Sequence, residues 1–267
     1  MLSLLLVLFT QISFAEESTE IFPESDVLTE PDKAILSTEK EEGENIYRFK
    51  DIYIISGKPD TKVQLSFKLR IIKELNLYFG YSQLMFWKLG IEESNPFSDI
   101  AFNPEVFYTH ELDKPYLKYL SYGLEHRSNG KQREVSRSFD RIFAQFDSSI
   151  GIYKSKLDFT LRLFAFYDLD ETNKDIQNYM GFWDTQISWS NVVEGDIPSK
   201  VTAYLKFFPG GNYSEKILKG GREIGIKYRV RLFGLFPYLM LQSYHGHSES
   251  LLDYDVPVEA YRIGFLL

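Results

Sequence analysis

Lys62-Val63-Gln64-Leu65-Ser66-Phe67-Lys68-Leu69-Arg70 alternates polar and apolar residues without a break. Successive side chains of an extended chain point to opposite faces, so Val63, Leu65, Phe67 and Leu69 share one face and the lysines, glutamine, serine and arginine share the other. The period of two returns in Leu75, Leu77, Phe79 and Tyr81, in Leu157, Phe159, Leu161 and Leu163, and in Val201, Ala203, Leu205 and Phe207. It returns again in Ile224, Ile226, Tyr228 and Val230, set against Gly225, Lys227, Arg229 and Arg231. A helical period is nowhere sustained, so the chain reads as all-β.

A soluble sandwich would set the charged face in water, whereas a membrane barrel would turn it into the lumen and give the apolar face to lipid. Three features select a transmembrane antiparallel β-barrel. Strands run near ten residues; aromatic residues such as Tyr81, Trp87, Trp183 and Trp189 mark strand ends; and Tyr261, Ile263, Phe265 and Leu267 keep one face to the carboxyl end. An aromatic share of 16% suits interfacial girdles. About twelve strands are expected, an even number that closes without edges. Lys68, Arg70, Arg162, Lys227, Arg229 and Arg231 would fill the lumen, paired with acids such as Asp158 and Glu223. Gly210-Gly211-Asn212 and Gly220-Gly221 read as turns.

Residues 1–15 end on Ser13-Phe14-Ala15 after an apolar run too short to span a bilayer as a helix, and read as a secretory signal peptide. Residues 16–45, acidic and rich in Ser, Thr and Pro, read as a solvated arm before a barrel domain at 46–267. There are no cysteines, so strand pairing and packing alone hold the fold. A net charge of -8 argues against a nucleic-acid partner, whose phosphates demand a basic face.

The chemistry concentrates in Glu125-His126-Arg127-Ser128-Asn129-Gly130 and in Asp140, twelve residues beyond the serine. His126 and Ser128 continue the parity of Leu120, Tyr122 and Leu124, while Asp140 has that of Ile142, Ala144 and Phe146. A base, a hydroxyl and a carboxylate are the groups acyl transfer uses, and this parity sets all three on the lipid side of the wall. Polar groups there are costly unless they pair, and their substrate would be dissolved in the membrane. Asn129-Gly130 and the polar stretch after it read as a ligand-binding loop. His245 and His247 read as surface-loop histidines, with no third metal ligand evident.

His126-x-Ser128-Asn129-Gly130 and Ser136-Arg137-Ser138-x-x-Arg141 resemble the active-site signature of the outer membrane phospholipase A family. Glu92-Glu93-Ser94-Asn95-Pro96-Phe97, Tyr179-Met180-Gly181 and Glu249-Ser250-Leu251-Leu252-Asp253-Tyr254 resemble further family segments in the same order. The resemblance implies a calcium-dependent outer-membrane enzyme that hydrolyses phospholipid acyl esters, with A1, A2 and lysophospholipase activity, as a homodimer. It implies Ser128 as nucleophile, His126 as base, Asp140 where the family carries Asn, and Gly130 in the oxyanion hole. It further implies calcium ligation by the Lys131 carbonyl, Ser136 and Ser94, with Asp170 or Glu171 as an acidic ligand and Gln83 at the protomer interface. Arg133 stands where the family can carry an acid. The competing readings are a lipid A deacylase, expected on a smaller barrel, and a non-enzymatic porin or structural barrel.

Overall fold

The computed structural model describes residues 46–267 apart from 113, 115, 194–198, 212–215 and 233–234. The expected signal peptide, the acidic arm and Asn212 lie outside the described residues. The strands are β1 (Ile46–Tyr47), β2 (Tyr53–Lys58), β3 (Thr61–Ile72), β4 (Leu77–Trp87), β5 (Phe97–Glu111), β6 (Tyr119–Ser128), β7 (Ser138–Ile152), β8 (Ser155–Leu169), β9 (Trp183–Val193), β10 (Ser199–Gly210), β11 (Lys216–Arg229), β12 (Tyr238–Gly246) and β13 (Val258–Leu266).

Every strand from β2 to β13 pairs antiparallel with its sequence neighbours, and β13 pairs with β2, so twelve strands close a barrel. β1 pairs with the far half of the same β3 edge that β2 uses. The first wall strand is thus interrupted, and the break carries Phe49 and Lys50 to lumen residues: Phe49 stacks on Phe107, and Lys50 Nζ donates to Glu105 Oε1 at 2.5 Å. Loops 88–96, 129–137, 170–182 and 247–257, of nine to thirteen residues, stand at one end, whereas the other end has connections of two to eight. Short periplasmic turns and long outer loops are the habit of outer-membrane barrels.

The alternation of the sequence is the alternation of the wall. Leu65, Phe67, Ile224, Ile226 and Tyr228 are exposed on the outside, while Lys62, Ser66, Glu223 and Arg229 are buried inside. The lumen charges meet partners from other strands and from the loops. Lys62 Nζ reaches Glu223 at 3.0 Å and Glu249 at 3.2 Å, and Arg262 reaches Glu249 and Asp60, both at 2.6 Å. Arg162 binds Glu105 at 2.6 Å and Glu125 at 3.0 Å, while Asp158, one of the acids expected among the lumen pairs, sits near the short-turn end beside Lys156 at 3.2 Å. Arg231 lies past the end of β11 and is exposed rather than luminal. Arg162 meets the acids that cross-barrel geometry brings to its height, whereas Arg231 misses the lumen because β11 ends at Arg229. The Arg141 and Arg162 guanidiniums also lie 3.9 Å and 3.7 Å from the rings of Phe164 and Phe143, a contact strengthened where water is scarce.

Two local expectations change. Tyr81 and Trp189 lie within β4 and β9 rather than at their ends, because the strands run longer than the alternation suggested; Trp87 closes β4 and Trp183 opens β9. Gly220-Gly221 lies inside β11, not in a turn. A Cβ on Gly220 would meet the Phe208 carbonyl oxygen at 1.9 Å and one on Gly221 the Tyr244 hydroxyl at 2.1 Å, so close packing is the reason for glycine there.

At the long-loop end an apolar cap of Ala101, Phe139, Ile176, Met180, Leu251 and Tyr254 lies across the lumen. Asp99, buried on β5, fastens it: Oδ2 accepts the Leu251 and Leu252 amides, both at 2.9 Å, and the Ser250 hydroxyl at 3.1 Å.

Candidate active site

β6 and β7 run in unbroken register over ten cross-strand pairs, and two adjacent pairs carry opposite chemistry. Glu125 opposite Arg141 faces the lumen: the guanidinium grips the carboxylate at both oxygens, Nε at 2.6 Å and Nη2 at 3.0 Å. His126 opposite Asp140 faces outward, with Nδ1 and Oδ1 2.7 Å apart. The pleat enforces this alternation, so a buried ion pair backs a wall-facing hydrogen bond. The His126 side chain is 45% exposed and that of Asp140 27%, with Tyr122, Leu124 and Ile142 exposed on the same face. Contact at Nδ1 leaves Nε2 as the free nitrogen of the ring. Ser128 stands two residues along on that face, opposite Ser138. Asn103 Nδ2 holds the His126 carbonyl at 2.9 Å.

Beyond Ser128 the chain enters the nine-residue loop 129–137 rather than a tight hairpin. Buried Asn129 organises it: Oδ1 accepts the Lys131 and Arg137 amides at 3.2 Å and 3.0 Å, and Nδ2 donates to the Val135 carbonyl at 2.8 Å. Gly130 follows at φ +64°, a conformation that favours glycine. A Cβ at Gly130 would meet a Phe102 ring carbon at 3.1 Å.

Of the expected calcium ligands, Ser136 and Asp170 meet: the serine hydroxyl donates to Asp170 Oδ2 at 3.0 Å. Asp170 Oδ1 accepts the Thr172 amide at 2.9 Å, and the single proton of the Thr172 hydroxyl is shared between Asp170 Oδ1, at 2.8 Å, and the Ser136 carbonyl. The Thr172 and Ser136 hydrogen bonds hold the Asp170 carboxyl below the usual carboxylate range. Glu171 stands apart, its carboxylate almost fully exposed and 3.9 Å from Lys174. Lys131 sends its ammonium to the Ser98 carbonyl at 2.8 Å. Ser94 lies on a separate loop at φ +65°, and Arg133 is an exposed turn residue at φ +59°. Gln83 is on the outer face of β4, where Oε1 accepts the Tyr81 hydroxyl at 3.0 Å. His245 lies on β12 rather than in a loop, exposed on the outer face, and His247 packs its ring 5.2 Å from that of Tyr179.

Sequence reading missed several neighbours of this site. The β7–β8 register shifts after Asp140, skipping Tyr167, and brings exposed Asp168 directly opposite Asp140. Such a bulge re-aims side chains beside a functional residue. Glu125 and Arg141 had a signal, since each adjoins a triad candidate with opposite parity. Asn173 had none: fully buried, it takes the Ser138 amide at Oδ1 (3.1 Å) and donates from Nδ2 to the Ser138 carbonyl (2.9 Å).

Residues 29–267 match the family model described as Phospholipase A1. The chain is 28% identical over 221 residues to the putative phospholipase A1 of Neisseria meningitidis serogroup B, covering 78% of this chain and 54% of that protein, so it spans about half the length of that relative. It is 26% identical over 226 residues to phospholipase A1 of Escherichia coli K12, covering 79% and 70%. The fold superposes on the outer membrane phospholipase A of Escherichia coli with a TM-score of 0.68 at 23% identity, over 87% of this chain and 96% of that one. An outer membrane phospholipase dimer of Salmonella typhi, solved with bound calcium, superposes with a TM-score of 0.68 at 22% identity and the same coverage. The closed twelve-strand architecture agrees with the family match, and the chain belongs to the phospholipase A1 family.

Proposed function

We propose that this chain is an outer-membrane phospholipase that hydrolyses acyl esters of phospholipids, its site opening to the outer leaflet at the long-loop end of the barrel. The observation that carries the reading is the outward-facing His126 Nδ1–Asp140 Oδ1 contact of 2.7 Å, with Ser128 next on the same face. Asp140 accepts the Nδ1 proton, orients the ring and stabilises the imidazolium that forms. His126 Nε2 takes the Ser128 proton as Oγ attacks the ester carbonyl, and the Gly130 amide donates to the oxyanion. The imidazolium returns the proton to the departing lysophospholipid alkoxide, leaving an acyl-enzyme. His126 then deprotonates a water whose attack releases the fatty acid and restores Ser128. One wall-mounted site can present either acyl ester of a lipid, or the remaining ester of a lysolipid, to Ser128, which supports A1, A2 and lysophospholipase activity together.

The oxygen-only donors of Ser136, Asp170 and Thr172, with a carboxylate held ionised among hydroxyls, fit a hard cation such as calcium. Ser136, the Lys131 carbonyl and Asp170, in preference to Glu171, would hold it, and the ion would supply positive charge to stabilise the oxyanion. Ser94 stands on a separate loop, which suits a ligand contributed by a second copy in a homodimer. Replacing Ser128 with Ala is expected to abolish fatty-acid release from phospholipid in mixed micelles while the barrel stays folded. Normal turnover by that variant would sink the assignment.

A further inference from the structure

Asn173 occupies the place of a strand residue without belonging to a strand. The β7–β8 ladder ends at Phe139 opposite Leu169, after which the chain turns away at Asp170 into the loop. Ser138, the first residue of β7, would therefore have no strand neighbour on that side. The Asn173 side chain supplies one: Oδ1 accepts the Ser138 amide at 3.1 Å and Nδ2 donates to the Ser138 carbonyl at 2.9 Å, the donor and acceptor pattern of a backbone peptide. The Asp170 amide adds a third bond to the same carbonyl at 3.1 Å. The Asn173 amide in turn donates to the Asp170 carbonyl at 3.0 Å, so the clamp is fixed to the turn that holds it.

Both backbone groups of Ser138 thus point toward β8 and away from β6. Along an antiparallel pair, hydrogen-bonded and non-hydrogen-bonded positions alternate, so Ser138–Ser128 and, two residues on, Asp140–His126 are non-hydrogen-bonded pairs. Those are the pairs whose side chains lie closest, the spacing that lets an imidazole and a carboxylate opposite each other touch. On the β6 side the chain is held through the neighbour of Ser138, where the Asn129 amide donates to the Arg137 carbonyl and Asn129 Oδ1 accepts the Arg137 amide, both at 3.0 Å, while the backbone of Ser138 itself is held from the β8 side.

We infer that Asn173 is a positioning residue of the hydrolytic site: by holding the Ser138 backbone it sets the height and angle at which Asp140 meets His126. The inference rests on the proposed Ser128–His126–Asp140 chemistry. Asn173 touches none of the reacting groups and acts through Ser138.

The test uses the folded full-length barrel in detergent with two variants, Asn173→Ala and the isosteric Asn173→Asp, which keeps the acceptor for the Ser138 amide but loses the donor to its carbonyl. Two rates are read: turnover of a defined phospholipid, and covalent labelling of Ser128 by a fluorophosphonate, which reports nucleophile activation without lipid turnover. Loss of a doubly bonded buried clamp is expected to lower kcat and the labelling rate together about ten- to hundredfold for Asn173→Ala, with KM unchanged and a smaller fall for Asn173→Asp. Folding is checked by the heat-modifiable migration of the barrel on gels, and if Asn173→Ala does not fold, Asn173→Asp decides. Wild-type labelling and turnover in either folded variant, or a rise in KM alone, would overturn the positioning role. A wild-type chain that neither labels at Ser128 nor hydrolyses lipid would instead remove the functional reading beneath it.

Discussion

Replacing Asp140 separates geometry from charge at the third position of the site. Asp140→Asn keeps the shape and can still offer an oxygen to His126 Nδ1 at the 2.7 Å now seen. What it loses is the attraction between carboxylate and imidazolium. Unit charges about 4 Å apart are worth about 4 kcal/mol at an effective dielectric of about 20. With the side chains 45% and 27% exposed, solvent screens a large part of that, leaving about 1 to 1.5 kcal/mol, or roughly a tenfold fall in kcat. The amide could instead turn its NH2 toward Nδ1, which would impose the wrong tautomer and cost on the order of 10⁴-fold. The family resemblance, in which Asn occupies this position, points to the oxygen orientation. Asp140→Ala offers no acceptor and should lose at least about a hundredfold more than Asp140→Asn. The assay is kcat on phospholipid in mixed micelles at fixed calcium, with fluorophosphonate labelling of Ser128 alongside. Asp140→Ala as active as the wild type would refute the orienting role, and Asp140→Asn as inactive as Ser128→Ala would refute the oxygen orientation and the tenfold magnitude derived from it.

Glu125→Gln removes one side of the ion pair behind the site, leaving the Arg141 and Arg162 guanidiniums short of charge inside the wall; urea unfolding in lipid vesicles should show a loss of about 3 kcal/mol, and an unchanged midpoint would show that the pair is dispensable. Gly130→Ala places a Cβ at φ +64° and 3.1 Å from the Phe102 ring; we expect about 1 to 2 kcal/mol of local strain and a kcat loss of about tenfold or more in a barrel that still folds, against which normal turnover would count. Because the folded Asp170 carboxyl sits below its unfolded value, its contribution to holding loops 129–137 and 170–182 together is complete above the unfolded value near 4 and fades as pH falls through the lower folded value. Protection of the Thr172 amide from hydrogen exchange, measured relative to its intrinsic rate at each pH, should therefore hold from pH 7 to about 5 and fall only in stronger acid, while Asp170→Asn should be weakly protected throughout. Chelation of divalent cations should suppress turnover; full activity in excess chelator would remove Ser136 and Asp170 from any metal role.

Face was legible in the sequence, and position was not. Alternation at 62–70 and 224–230 assigned inside and outside residue by residue, because the pleat makes a side chain's face a strictly local property. Continued through Leu120, Tyr122 and Leu124, the same rule carried His126 and Ser128 to the outer wall, and the structure places them there. Strand ends were less legible, as Tyr81 and Trp189 show, since aromatic residues suit both a girdle and a mid-wall site.

The tertiary structure decided register and partners. That His126 faces Asp140 across fourteen residues follows from the length and folding of loop 129–137, which Asn129 sets through bonds the alternation does not encode. The skipped Tyr167 that brings Asp168 beside Asp140, the meeting of Arg162 with Glu105 and Glu125, and the Asn173 clamp all join residues from different strands or loops. The sequence by itself determined that this chain is a membrane barrel with a serine, a histidine and a carboxylate on its lipid face, because a pleated strand carries that information within a few residues. Closure of twelve strands determined which of those groups touch, because register is settled by the sum of loop lengths and packing around the whole ring.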